Sequence, residues 1–334
     1  MKKFLNTLVK IAYLGIGGLL GLCLLFLWVC RIHDGIQSRK EAGLIYPPGQ
    51  KAELNGHAIH VYTEGDGELT CVFLSGLGIC APSLEFKGLY TLLSDTYRIA
   101  VVDRAGYGYS EPAGDERDLD DILEETREAL GLCGMDGPYV LFPHSIAGME
   151  AIYWAQKYPH EIKAIMGMDI GFPEGYLEQG FPQSAYRTYR LQAFLTKWGV
   201  HRLLPDMFLS QEVLEGYYLT EMEKEEYKAL SYKNLLSGDV VREFMAIEEN
   251  AAKSAALPLP AKTPIRIIMP IPLTEEEAVK KADYEAKRNE IYGAYVGRFD
   301  DGALIHIPGM HNIYESAYEE IAKVSKEFIE GIGE

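Results

Sequence analysis

Tyr139-Val-Leu-Phe-Pro-His-Ser-Ile-Ala-Gly-Met-Glu150 is the stretch from which the fold can be read. Its first four residues form a short apolar run, and Pro143-His144-Ser145-Ile146-Ala147-Gly148 follows at once. Beyond it the period changes, with Met149, Ile152, Tyr153 and Ala155 at helical spacing until Tyr158-Pro159 stops the pattern. A strand turning sharply into a helix with a serine at the apex has the form of a nucleophile elbow. The shape matters because a serine hydroxyl is a weak nucleophile at its free pKa. It must project clear of the backbone towards a base, near a helix N-terminus and its N–H groups. The pattern departs from G-x-S-x-G, since Pro143 and Ala147 occupy the glycine positions and Gly148 comes one place later. Ala147 is small, and a strand end tolerates a Pro that lacks an N–H. The same residues would also suit an ordinary strand-to-helix turn, so the reading depends on the rest of the chain.

Upstream, Lys51 to Glu64 reads as a hairpin about Asn55-Gly56. A buried strand from Thr70 to Leu74 runs into Ser75-Gly76-Leu77-Gly78, and another from Tyr97 to Asp103 ends in Arg104-Ala-Gly-Tyr-Gly-Tyr-Ser110. An amphipathic helix is predicted from about Leu119 to Leu132, with Asp118 as N-cap and Asp120 and Asp121 in its first turn. Downstream comes a strand at Lys163 to Asp169. From Gly171 to about Pro260 the pattern is helical and rich in aromatics, among them Tyr176, Phe181, Tyr186, Tyr189, Phe194 and Trp198. A strand at Pro264 to Met269, a charged helix from Glu275 to about Tyr295 and a strand at Ala303 to Ile307 follow. Pro308-Gly-Met-His-Asn312 then leads into a C-terminal helix, Glu315 to Glu330. Short strands alternating with helices predict a mostly parallel sheet with helices on both faces.

The segment 1–40 stands apart. Ile11 to Cys30 (IAYLGIGGLLGLCLLFLWVC) is an unbroken uncharged run, long enough to span a bilayer as a helix. It is too long, and too poor in small residues at a cleavage point, to be a removed signal peptide. Lys2, Lys3, Lys10 and the amino terminus precede it, against Arg31, Arg39 and Lys40 after it, so the charge rule leans towards an inside N-terminus. Gly17-x-x-x-Gly21 could pair helices, and Trp28 suits an interfacial anchor. The chain therefore divides into a cytoplasmic tail (1–10), a transmembrane helix (11–30), a linker (31–50), a core (51–170 and 263–334) and a helical insertion (171–262). Localisation is expected at the cell membrane, single-pass, with the large domain extracytoplasmic. The whole chain has 32 Lys and Arg against 49 Asp and Glu, and segment 1–40 holds 6 of the former and 1 of the latter. The remaining body thus has 26 basic and 48 acidic side chains, a net of −22. Such a body is a poor partner for nucleic acid. Cys71, Cys80 and Cys133 form no disulfide framework and have no metal-ligand spacing.

The order hairpin, strand–SGLG, strand–DRAGYGYS, strand–PHSIAG, strand–MDIGFP, helical insertion, strand, strand–GMH resembles the α/β-hydrolase superfamily over roughly residues 50–331. The nearest likeness is to membrane-anchored bacterial α/β hydrolases of unassigned substrate. The resemblance implies an α/β-hydrolase fold: a mostly parallel central sheet flanked by helices, with a helical lid inserted between two strands. It implies Ser145 as nucleophile and His311, on the loop after the last strand, as base. His57, His60, His160 and His306 read as structural, and His144 as a support of the elbow. The oxyanion donors would be the N–H groups of Ile146 and of Leu77, the latter in Ser75-Gly76-Leu77 where the family usually carries His-Gly-x. Gly76 and Gly78 would permit close approach. The acid is expected at Asp169, one strand earlier than in most of the superfamily, as in some haloalkane dehalogenases. In the commoner position stands Leu273, with Glu275, Glu276 and Glu277 as nearby alternatives that read better as an acidic helix start. The acid would hold the imidazole tautomer and stabilise the imidazolium.

These residues imply a serine hydrolase that passes through an acyl-enzyme on a carboxylic ester, thioester or lipid ester. The expected partner is a small molecule with an apolar acyl group, lodged among some of the insertion's aromatics. No metal and no organic cofactor are implied. A serine in the nucleophile position argues against dehalogenase or epoxide hydrolase chemistry, where the family uses Asp. An aminopeptidase, with Glu174, Glu178 or Glu212 binding the free amine, a lyase, and an inactive binding module remain competing readings.

Overall fold

The computed structural model describes residues 2–54, 56–114 and 117–332. The turn residue Asn55 lies outside them. The chain begins with α1 (Lys2–Glu41), continues through β1 (Gln50–Leu54), β2 (His57–Glu64) and β3 (Thr70–Leu74), and passes two short helices, α2 (Pro82–Glu85) and α3 (Lys87–Thr91). Then come β4 (Arg98–Asp103), α4 (Leu119–Leu132), β5 (Tyr139–Pro143), α5 (Ala147–Lys157) and β6 (Ile162–Met168). The insertion holds α6 (Pro173–Gln179), α7 (Gln183–Lys197), α8 (Gln211–Glu215), α9 (Glu221–Asn234) and α10 (Gly238–Ala255). The chain closes with β7 (Ile265–Ile271), α11 (Glu275–Val296), β8 (Gly302–Pro308) and α12 (Tyr318–Gly331).

The eight strands form one sheet in the order β1-β2-β4-β3-β5-β6-β7-β8. β2 pairs antiparallel with β1 and with β4, and from β4 to β8 every pairing is parallel. Strands covered on both faces should be apolar throughout, and β3 and β5 are buried at every residue. Two apolar clusters sandwich the sheet. One packs Met149, Ile152, Trp154 and Phe244 against one face, and the other sets Phe86, Leu89, Tyr314 and Phe328 against the opposite face. Because β3 pairs β4 on one side and β5 on the other, the crossover direction reverses there. The carboxyl ends of β3 and β5 therefore flank the crevice where ligands bind in such sheets. The SGLG loop and the serine elbow leave from those two ends.

One boundary differs from the sequence reading. Residues 31–41, expected as linker, continue α1 without a break. The segment contains no Pro, and tertiary contacts hold it helical. Arg202 of the insertion, its side chain buried, bonds to Asp34 Oδ1 (2.6 Å), Ser38 Oγ (3.0 Å) and both oxygens of Glu41 (2.7 and 2.8 Å). Gly199, at φ +79°, lies so close to α1 that a Cβ there would come within 2.6 Å of Cys30 O. The apolar part of α1 has a mean hydropathy of 2.2 with 6% of its 18-residue window buried, so it is long and apolar enough to cross a membrane.

Candidate active site

Ser145 sits at the end of β5 with φ +55°, a left-handed conformation that costs a non-glycine residue about 1–3 kcal/mol. Its neighbours hold it there. Ser145 N–H donates to Met168 O (3.3 Å), and Gly171 N–H donates to Ser145 O (2.9 Å). The glycine the turn needs is Gly148, one place later than the usual pattern. A Cβ at Gly148 would lie 2.4 Å from Gly171 O and 2.5 Å from Ile170 Cβ, so only glycine lets α5 start against the β6 end.

Ser145 Oγ lies 3.0 Å from His311 Nε2, and His311 Nδ1 lies 2.6 Å from Asp169 Oδ2. An ionised carboxylate only accepts hydrogen bonds, so Nδ1 carries the proton and Nε2 is left to accept from the serine hydroxyl. Asp169 follows β6 directly and also has a positive φ of +46°. Its other oxygen, Oδ1, accepts from Arg288 of α11. Arg288 Nη1 further donates to Pro270 O (3.1 Å), and Tyr292 OH donates to Ile170 O (2.8 Å). Arg288 and Tyr292, four apart on one helix face, thus clamp the residues around Asp169. Sequence reasoning missed both; their spacing in a charged helix was the available signal. Glu275, Glu276 and Glu277 form the first turn of α11 behind the Thr274 cap, and none bonds to His311 among the described residues.

The loop after β3 is pressed against the elbow. A Cβ at Gly76 would lie 2.6 Å from His144 Nδ1 and 2.9 Å from Ser145 Cβ. Among the described residues the N–H groups of Leu77 and Ile146 donate to no protein acceptor; Ile146 follows Ser145 directly, and Leu77 follows Gly76, which is packed against Ser145. Arg104, buried, fixes the loop by donating to Ser75 O, and is itself paired with Glu243 at 3.3 Å and Glu150 at 3.8 Å. Burial pushes the Glu150 carboxyl up to about 6 despite that guanidinium. The DRAGYGYS turn is thus a brace for the loop. Gly108 makes room for Asp103, whose Oδ2 would lie 2.0 Å from a Cβ there.

His144 is buried, and Nε2 donates to His311 O (3.1 Å). Burial, with His311 beside it, holds its pKa well below the usual histidine value, so it stays neutral. His60 is buried between Asp103 (2.9 Å) and Pro48, and His306 meets Asn289 (2.6 Å), both away from Ser145.

The His311 loop ends on a buried acid. Glu315 accepts from Asn312 Nδ2 (2.9 Å) and Ser210 Oγ (2.5 Å), and lies near Glu85, with Tyr218, Tyr227 and Tyr314 close to both. Burial, then Glu315 and Asp103, push the Glu85 carboxyl up to about 8. The folded chain thus keeps a proton that the unfolded chain releases near pH 4.5. Stability is expected to fall as pH rises through that window, by at most about 1.4 kcal/mol per pH unit. In Glu85→Gln the slope between pH 5 and 8 should flatten, which denaturant titrations across that range would test. An unchanged slope would contradict the assignment.

A cavity of about 640 Å³ opens beside Ser145 and His311. Only the start of the insertion lines it, through Phe172, Gly175, Tyr176, Glu178 and Gln179. The opposite wall is α11 with Glu277, Lys281, Tyr284, Glu285, Arg288, Ile291 and Tyr292, and Ile271 and Met310 close the floor. The expected lid of aromatics over the serine differs from this arrangement. Phe181, Tyr186 and Tyr189 pack on Phe244 instead, and His311 stays 57% exposed. Of the carboxylates considered for an amine site, Glu178 lines the cavity, Glu174 pairs with Arg298 (2.7 Å), and Glu212 meets Ser210 (3.3 Å). Among the described residues no three His, Cys, Asp or Glu side chains are grouped as metal ligands.

A family model described as the alpha/beta hydrolase fold matches residues 72–197. The chain is 40% identical over 328 residues to the uncharacterized protein YbdG of Bacillus subtilis, covering 97% of this chain and 99% of that one. Among solved structures, haloalkane dehalogenase DbeA from Bradyrhizobium elkani superposes with a TM-score of 0.59 at 15% identity, covering 85% of this chain and 98% of DbeA. A thermophilic esterase from Thermogutta terrifontis gives a TM-score of 0.57 at 15% identity, covering 85% of this chain and 99% of the esterase. At those identities the structural matches speak for the fold alone.

Proposed function

The chain belongs to the α/β-hydrolase superfamily, and from that premise we propose that it is a membrane-anchored serine hydrolase acting on an ester through an acyl-enzyme. The observation that carries this reading is the unbroken hydrogen-bonded chain from Ser145 Oγ through His311 to Asp169, at the tip of a strained elbow. In the proposed reaction Ser145 Oγ attacks the carbonyl carbon while His311 Nε2 takes its proton. The oxyanion is received by the Ile146 and Leu77 N–H groups, which have no other acceptor among the described residues. His311 passes the proton to the departing alkoxide or thiolate, leaving the acyl group on Ser145. Water, deprotonated by His311, then releases the acid and restores the serine. Asp169 holds Nδ1–H throughout and balances the imidazolium charge.

The cavity supports an ester with an apolar acyl group and a polar remainder. Phe172, Tyr176, Ile271, Ile291 and Met310 offer apolar surface, while Lys281, Lys287 and Glu178 supply charges. Exposed His311 admits water for the second half-reaction. The test is labelling of the full chain, in membranes, with a serine-directed fluorophosphonate and mapping of the labelled peptide. Labelling at Ser145 that falls at least about 100-fold in His311→Ala is expected. A folded protein that labels elsewhere, or equally well without His311, would falsify the scheme.

Arg288 has a measurable place in it. With its guanidinium gone, the Asp169 carboxylate is free to rotate off Nδ1. Arg288→Gln should lower kcat by roughly 10²-fold, the effect of a misplaced orienting group, with little change in KM. An effect confined to KM would make Arg288 a substrate-binding residue only.

A further inference from the structure

The insertion contains a basic window. Positions 179–205 include Arg187, Arg190, Lys197 and Arg202 and not one acid, in a body where acids outnumber bases by 48 to 26. Within it, α7 presents Arg187, Arg190, Leu191, Phe194 and Lys197 at spacings of three and four along its exposed side. The inward side, Tyr186 and Tyr189, packs on Phe244. Leu203, Leu204 and Met207, in the turns that follow, extend the apolar surface; with Leu191 and Phe194 they are 47–75% exposed. Asp206 is the acid nearest this surface in sequence.

Its position explains the composition. Cys30 is the last residue of the uncharged run, and Gly199 lies against Cys30 O and Asp34 Cβ. Arg202 grips Asp34, which is about 6 Å further along the helix. The C-terminal end of α7 and the turns after it are thus held where α1 leaves the hydrocarbon. Trp28 stands two residues before Cys30 and Trp198 directly before Gly199, and tryptophan favours the membrane–water interface. A cationic, amphipathic helix clamped at that depth meets lipid headgroups.

We propose that the exposed face of α7, with the turn carrying Leu203, Leu204 and Met207, rests on acidic phospholipid beside α1. The proposal rests on the reading of α1 as a membrane span. It supplies the body, otherwise strongly anionic, with one face that an anionic bilayer attracts, and so sets the orientation of the cavity relative to the membrane. A second copy of the chain is the competing occupant; its acidic surface would suit the cations, but the clamp to α1 puts lipid at this face first.

The experiment uses the full chain in phosphatidylcholine liposomes with and without phosphatidylglycerol, each lipid carrying a photoreactive diazirine just below the headgroup. Cross-linked peptides are mapped by mass spectrometry. Adducts on α1 are expected in both compositions. Adducts between Arg187 and Met207 are expected to rise with phosphatidylglycerol, and to drop about fivefold in a combined Arg187→Glu, Arg190→Glu, Lys197→Glu variant whose Ser145 labelling is unchanged. Adducts on α1 without adducts on α7 would overturn the proposal alone, as would α7 cross-links to another copy in place of lipid. Loss of the α1 adducts would overturn the span and the proposal together.

Discussion

Ser145→Ala is expected to lower kcat/KM on an activated ester by roughly 10⁵-fold, because the triad acts as a unit and fails when any acting member is lost. What remains should be a small rate above water, from the oxyanion donors and binding alone. The fold should not notice. The only hydrogen bond that Ser145 Oγ makes among the described residues is to His311, and alanine at φ +55° is strained to about the same extent as serine. A thermal midpoint within about 2 °C of the parent is therefore expected, since 1 kcal/mol moves a domain of this size by roughly that amount or more. Kinetics and a melt on the same preparation check both halves. Activity above a tenth of the parent would put the chemistry elsewhere on the chain. A collapsed melt would mean that Ser145 serves the turn.

Much of this architecture was legible because strand–turn–helix changes of period are local. β3, β5, β6 and β8 follow from short apolar runs, and the residues after them, Leu77, Ser145, Asp169 and His311, are assembled by the sheet at its carboxyl edge. Asp118 announces its helix in the sequence, and its side chain does accept from Asp121 N–H. What escaped was long-range. Nothing adjacent in sequence says that Arg202 will reach back 168 residues to Asp34 and hold α1 helical past Cys30. Nothing local says that Tyr186 and Tyr189 of α7 will turn to Phe244 and leave one cavity wall to α11. The elbow itself was half legible: Gly148 looked displaced, yet the close approach of Ile170 and Gly171 is what requires it there. Such pairings depend on which surfaces meet, and periodicity carries no information about the partner.

The acid is where the sequence left a choice and where a variant gives the sharpest answer. Asp169→Asn should lower kcat by roughly 10⁴-fold, with Glu277→Gln close to the parent. Asparagine tolerates the left-handed backbone, so φ +46° at position 169 is kept and stability should hold. The loss comes from a specific constraint. Arg288 has only donors, so it draws the amide oxygen of the new side chain and turns the NH₂ group towards His311 Nδ1. His311 must then accept at Nδ1 and carry its proton on Nε2, facing Ser145 Oγ, where it cannot act as base. Adding Arg288→Ala to Asp169→Asn lets the amide turn over and offer oxygen to Nδ1–H. The double variant should therefore be more active than Asp169→Asn alone, although Arg288 by itself is needed for full rate. Such a reversal is a coupling between neighbours that independent losses cannot produce. If the two losses simply add, Arg288 does not set the orientation of residue 169. If Asp169→Asn is innocuous and Glu277→Gln is not, the acid lies on α11.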